Sequence, residues 1–150
     1  MFSAMKRLVP VLALLGVMSL MTGCAVNRTS ASLSPGADLS IIKTAYVVKH
    51  ANDKNNINEL IKAKLESKGY VVTTGQELPV PYTTDMSVTY IDKWMWDITM
   101  YMIELTINFR DPKTSFPIAT GNSLHTSLTR KSPTEMVDEV LANIQSAPKK

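Results

Sequence analysis

Between residues 101 and 110 the chain alternates without a break. Tyr101, Ile103, Leu105, Ile107 and Phe109 interleave with Met102, Glu104, Thr106, Asn108 and Arg110. A period of two puts the first set on one side of an extended strand and the second set on the other. Such a strand buries one face and leaves the other to water, which commits the chain to a sheet with one covered face. What covers it is also legible. Ile57, Leu60, Ile61 and Leu65 fall at helical spacing, with Lys62, Lys64, Glu66 and Lys68 on the other side; Met136, Val137, Val140, Leu141 and Ile144 form a second stripe. A helix with a single apolar stripe packs by that stripe, so both helices belong on one sheet face.

The remaining elements follow from breakers and caps. Residues 41–49 (IIKTAYVVK) read as a first strand, rich in branched and aromatic residues. Asp53 is a candidate N-cap for the first helix, and Gly69 stands where a left-handed C-terminal residue belongs. Residues 70–74 form a second strand, and strand, helix and strand together make a crossover unit. Residues 75–85 carry Pro79 and Pro81 and read as a loop. In residues 87–97, Val88, Tyr90, Trp94 and Trp96 share one side, and Asp92 falls on that same apolar side; a bulge near Asp92 and Lys93 would relieve it. Residues 118–129 return as a strand in which Gly121 marks a bulge or close packing. Ser132, Pro133 and Glu135 have the spacing of a capping box and open the last helix. The expected fold is therefore α/β: a two-layer sandwich of a five-stranded mixed sheet with two amphipathic helices on one face. It spans residues 40–147, with 148–150 as a tail.

The N-terminal residues read as an address. Lys6 and Arg7 precede an apolar run over residues 8–20, thirteen residues long. A helix needs about 20 apolar residues to span a bilayer, so this run is the core of a signal peptide rather than a membrane anchor. Met21, Thr22, Gly23 and Cys24 follow directly. This segment resembles the lipobox of bacterial lipoproteins, with Met21 in place of the usual leucine. The resemblance implies a signal peptide over 1–23, a diacylglycerol and an N-acyl chain on Cys24, and no other cofactor. Ala25 in the second mature position, rather than aspartate, implies the periplasmic side of the outer membrane of a Gram-negative cell. Residues 24–39 are rich in Ser, Ala and Asn with a Pro-Gly pair and read as a lipidated flexible tether. Fifteen flexible residues reach about 20 Å.

Charge and composition exclude several functions. The formal net charge is +3, and without Lys6 and Arg7 the balance is 14 basic against 13 acidic residues. That is too even for a nucleic-acid partner, which needs clustered positive charge. One cysteine and two histidines exclude a disulfide framework and a cysteine-rich zinc site, and no metal site is expected. Neither a Gly-x-Ser-x-Gly elbow nor a glycine-rich phosphate loop occurs. Asp92, Asp97 and Glu104 have no spacing that demands convergence on a cation. His50 and His125 read as structural or exposed, and Arg110, Arg130 and Lys131 as solvated strand ends able to meet an anionic headgroup or a partner's acids. No catalytic residue is assigned. Tyr90, Trp94, Trp96 and Tyr101, set at alternate positions, are the candidate partner-binding residues, with core packing as the competing role.

Three segments carry a wider likeness: residues 90–101 (YIDKWMWDITMY), Asn108-Phe109-Arg110-Asp111 and Arg130-Lys131-Ser132-Pro133. With the element order β-α-β-β-β-α they resemble a group of small Gram-negative envelope lipoproteins, and the fold looks like the N-terminal domain of TolB. The resemblance implies a fold and no active site. The expectation is a non-enzymatic binding or assembly module for an envelope protein, held to the outer membrane by lipid. The alternative is an accessory that binds lipid or another small ligand.

Overall fold

The computed structural model describes residues 25–148. The expected signal peptide, Cys24 itself and Lys149-Lys150 lie outside the described residues. The elements are β1 (Asn27–Leu33), β2 (Thr44–Val48), α1 (Ile57–Ser67), β3 (Val71–Gly75), β4 (Met86–Asp97), β5 (Thr99–Arg110), β6 (Pro117–His125) and α2 (Pro133–Ser146). They build one six-stranded sheet in the order β1-β6-β5-β4-β2-β3. β2 is parallel to β3 and β4, and the other neighbours are antiparallel, so the sheet is mixed. The α/β class stands; the strand count is six rather than five.

The extra strand is β1, drawn from the segment expected to be a tether. Asn27–Leu33 pairs along its whole length with β6, from Asn27 opposite His125 to Leu33 opposite Ala119. Its side chains are small and polar, and only Leu33 is buried. It is a strand because the free edge of β6 supplies the backbone partners, not because its own apolar content demands burial. Val26 O also accepts from Thr126 N–H at 3.1 Å, so of the described residues before β1 only Ala25 stands outside this pairing.

One continuous core lies between the sheet and both helices. β5 contributes Leu105, Ile107 and Phe109, and β4 contributes Val88 and Tyr90. α1 adds Ile57, Ile61 and Leu65, and α2 adds Met136, Val137, Val140, Leu141 and Ile144. The far ends of the helices behave as their sequences predict. Ser132 and Glu135 close a capping box, with Ser132 N–H donating to Glu135 Oε2 at 2.8 Å. Gly69 adopts φ +94 behind α1. The start of α1 differs. Asn56 takes the cap position with φ 54, while Asp53 accepts from the N–H of Asn55 at 2.9 Å and of Asn58 at 3.2 Å. Asp53 thus serves the first turn from outside the helix, where its carboxylate also suits the positive end of the helix dipole.

The alternation of β5 holds from Glu104 to Arg110 and breaks before it. Lys93 pairs with Glu104 but Trp94 pairs with Met102, so Ile103 is the extra residue of a bulge. The bulge lies beside the expected place, but on β5 and not on β4. Its consequence is a swap of faces: Met102 enters the core fully buried, and Ile103 leaves it half-buried. The opposite sheet face is a polar ladder. Asn122 Nδ2 donates to Thr106 Oγ1 at 2.8 Å and to Glu104 Oε1 at 2.9 Å, Thr120 donates to Asn108 at 2.9 Å, and Lys93 pairs with Glu104 at 2.6 Å.

Gly121 sits where α2 comes closest to the sheet. A Cβ there would meet Ile144 Cγ1 at 2.7 Å and Val140 Cγ1 at 2.9 Å. Both neighbours are β-branched and have little rotamer freedom in a helix. Substituting Gly121→Val should cost about 1–3 kcal/mol through overpacking, read as a lower urea midpoint. An unchanged midpoint would mean that α2 is not seated this closely.

Candidate functional site

The four candidate aromatics do not share a groove. Tyr90 is buried on the helix side of β4; its hydroxyl donates to Asp53 Oδ2 at 2.7 Å and accepts from His50 N–H at 3.1 Å. Burial raises its phenol well above the ordinary value, and the neighbouring Asp53 carboxylate adds to the shift. Tyr90 is therefore a protonated donor that fastens the loop before α1. Trp94 packs against the core, and its indole N–H donates to Asp92 Oδ2 at 2.6 Å. Asp92 does fall on the apolar side of β4, as the alternation implied, and the indole satisfies it there. Tyr101 is buried under the Arg130 guanidinium, 4.7 Å from its ring centre. Of the four, Trp96 alone stands clear of the fold.

Trp96 has company that the sequence pattern did not single out. Met95, Ile98 and Met100 beside it are exposed, and so is Leu128 in the single 3-10 turn Ser127–Thr129 after β6. Ile98 alone connects β4 to β5 and holds φ +62, a left-handed conformation that is a clear outlier for a β-branched residue. Arg130 ties the two parts together. Its Nη1 donates to Thr99 Oγ1 at 2.8 Å, its Nε donates to Ser127 O at 3.0 Å, and its Nη2 lies 3.9 Å from Asp97 Oδ2. The signal available in sequence was the apolar content of residues 95–100; that the hairpin outruns the helices was not readable there.

The other titratable groups face structural tasks. His125 is 2% exposed beneath α2, with Nε2 2.7 Å from Glu139 Oε2. Ser123 Oγ donates to the same oxygen at 2.9 Å, and Lys131 Nζ lies 3.1 Å from it. Burial alone would raise the Glu139 carboxyl, but hydrogen bonds from His125, Lys131 and Ser123 outweigh it and hold the group below its ordinary range. Serine and histidine bond to the carboxylate rather than to each other, so they do not form a nucleophile–base pair. His50 is exposed, and its Nδ1 accepts from Asn52 N–H at 3.2 Å. Asp92, Asp97 and Glu104 do not converge: Asp92 faces the helix side, Asp97 the end of β4, and Glu104 the polar ladder with Lys93 and Asn122. Arg110 bonds Thr89 and Ser115 within the fold. Among the described residues no group of three His, Cys, Asp or Glu side chains is placed to hold a metal. An open depression of about 570 Å³ lies at the ends of β2 and β3, lined by Val48, His50, Gln76, Glu77, Thr89 and Tyr90.

No family model matches the chain, and no curated protein matches it. Solved structures do. Two crystal forms of the PelC dodecamer from Paraburkholderia phytofirmans superpose with TM-scores of 0.58 and 0.57, at 13% and 12% identity. Each covers 82% of this chain and 100% of that chain. At that identity the likeness is one of fold.

The Glu139 network predicts an acid-sensitive domain. A carboxyl whose folded pKa lies below its unfolded one stabilises the fold fully above the unfolded value, and that contribution disappears as pH falls through the folded value. Substituting Glu139→Gln should cost about 1–3 kcal/mol at neutral pH. The gap to the wild type should narrow once pH drops below the ordinary glutamate range. Urea titrations of both proteins at a series of pH values check this, and a gap that stays constant with pH would refute the role given to the carboxylate.

Proposed function

We propose that this chain is a lipoprotein of the outer membrane, facing the periplasm, that acts as a non-enzymatic binding or assembly module for an envelope protein. Its membrane attachment runs through a diacylglycerol and an N-acyl chain on Cys24. The observation that carries the reading is the division of labour in the fold. Ser123, His125, Glu139, Asp53 and Tyr90 are engaged in holding helices and loops, while no helix lies over the polar side of β5 and β6; the loop before β4 covers that face only near β2, where Tyr82 packs on Tyr46. That face is broad and regularly laddered by Glu104, Thr106, Asn108, Thr120 and Asn122, the kind of surface a protein partner recognises. The likeness to PelC, described as a dodecamer, supports assembly as the use of this fold.

The alternative, an accessory that binds lipid or a small ligand, has less support. An enclosed apolar site would be expected between helices and sheet, and that layer is filled by the core side chains. The depression beside His50 and Tyr90 is open to solvent on its outer side.

Two measurements test the reading. Substituting Cys24→Ala should release the protein from membranes into the soluble fraction after a salt wash; retention would defeat lipid anchoring. Photo-crosslinking probes at Glu104 and Thr106 on the open face should capture one abundant envelope protein in cells. Absence of any protein adduct from both positions would defeat the binding role.

A further inference from the structure

We propose that the β4–β5 hairpin tip, with Leu128 beside it, is a second membrane contact that rests in the phospholipid headgroup layer of the leaflet holding the Cys24 lipid. This inference rests on the lipoprotein reading above for the anchor, but its own support is geometric.

The first support is the register. Arg28 pairs with Leu124, Leu124 with Glu104, and Glu104 with Lys93, so these four residues form one line across the sheet. Cys24 is four residues before Arg28, and Asp97 is four residues after Lys93. β1 and β4 run in opposite directions here, so both stretches lead towards the same end of the domain. Four strand residues rise about 13 Å, so the chain before β1 has the length to set the lipidated residue level with the hairpin tip. The loop after β6 spans the gap between them. Thr129 Oγ1 donates to Val26 O at 3.3 Å, and the adjacent Arg130 reaches Thr99 at the hairpin.

The second support is the short leash. β1 starts at Asn27, so a chain of about 10 Å at full extension joins the first paired residue to Cys24. A domain held this closely cannot stand off from the surface, and the end that carries the leash must face it. The headgroup layer is itself about 5–7 Å deep on each side.

The third support is the chemistry of that end. Trp96 is 70% exposed, Ile98 86%, Met100 57%, Met95 46% and Leu128 75%. Tryptophan favours the membrane interface, where its ring meets the acyl boundary and its N–H meets water. Arg130, which touches the hairpin at Thr99 and Asp97 and is partly exposed, is a cation suited to a lipid phosphate. The one acid of the tip, Asp97, faces Arg130. A β-branched residue in a left-handed turn and in full contact with water is disfavoured twice over, whereas a lipid surface covers it.

The test uses the full chain, matured and lipidated, in vesicles of phosphatidylethanolamine and phosphatidylglycerol. Trp94→Phe leaves Trp96 as the sole tryptophan. Its emission should shift to the blue on reconstitution, acrylamide quenching should drop several-fold, and lipids brominated near the top of the acyl chain should quench it. A water-like emission with unchanged acrylamide quenching overturns the proposal. Protection from acrylamide without quenching by brominated lipid also overturns it, since a second copy or another protein then covers the tip. An independent variant guards against misfolding of the first. Cys24 is the single cysteine and its sulfur is blocked when acylated, so Ile98→Cys offers one free thiol for an environment-sensitive dye. The dye should report an apolar setting in vesicles, and a fully aqueous signal there overturns the proposal. The mass of the mature chain separates the two readings. A chain without acyl groups refutes lipid anchoring, whatever the tip does; an acylated chain with a wet tip refutes only this inference.

Discussion

The close seating of α2 on the sheet is the contact on which the rest of the domain depends. Gly121 leaves room for Ile144 and Val140 against the β6 backbone, and Ala31, Ala119 and Ser123 keep the surrounding floor shallow. A helix held this near can cover strands that have little apolar side chain of their own. At β1 it reaches only the far end, where Leu33 is buried and Ala31 half-buried, while Asn27, Arg28, Thr29 and Ser30 stay exposed. The same closeness seals Ser123 and His125, whose polar atoms then require a partner, because a buried unpaired donor costs more than a made bond returns. Glu139 meets both from α2, and Lys131 reaches the same carboxylate from the loop. Packing thus brings Ser123 Oγ and His125 Nε2 to one carboxylate, while His125 Nδ1 is buried with no hydrogen-bond partner.

The bulge at Ile103 divides β5 into two parts with different surroundings. On the α2 side of it, Leu105, Ile107 and Phe109 meet the helices. Past Met102 the two strands continue as a ribbon that the helices do not cover, so Trp96, Ile98 and Met100 remain exposed. Bulges re-aim strands and raise their twist, which accounts for a hairpin that departs from the body of the sheet. Its tip and the start of β1 meet at one end of the domain because β1 closes on β6 in antiparallel fashion. A strand of modest residues thereby sets how far the domain can stand from its proposed anchor.

Much of this fold was legible in local pattern. The alternation of β5 from Glu104 to Arg110, the two helical stripes, Gly69 and the Ser132–Glu135 box are signals that neighbouring residues create among themselves, and each appears where the sequence places it; the alternation read before Glu104 does not. The failures are all nonlocal. β1 has no pattern worth a strand until β6 offers an edge. Asp53 caps α1 from outside because Tyr90, thirty-seven residues away, holds its carboxylate in place. The four candidate aromatics were read as partner-binding residues, with core packing as the competing role. Yet their roles separate into loop fastening for Tyr90, core cover for Trp94, stacking under Arg130 for Tyr101, and exposure for Trp96. Alternation tells which side of a strand a ring occupies, not whether a helix extends far enough to cover it.

The sequence by itself determined the α/β class, the apolar and polar faces of β5 from Glu104 onward, and the capping box that opens α2. These follow from periodicity and caps, whose physics acts over a few residues. Only the tertiary structure decided that the segment after Cys24 is a strand, that a bulge changes the face of Met102, and that the apolar hairpin lies at the same end of the domain as the start of β1. Those outcomes depend on which backbone edges are left free and where the helices stop. Both are properties of the assembled sheet, and no stretch of chain carries them alone.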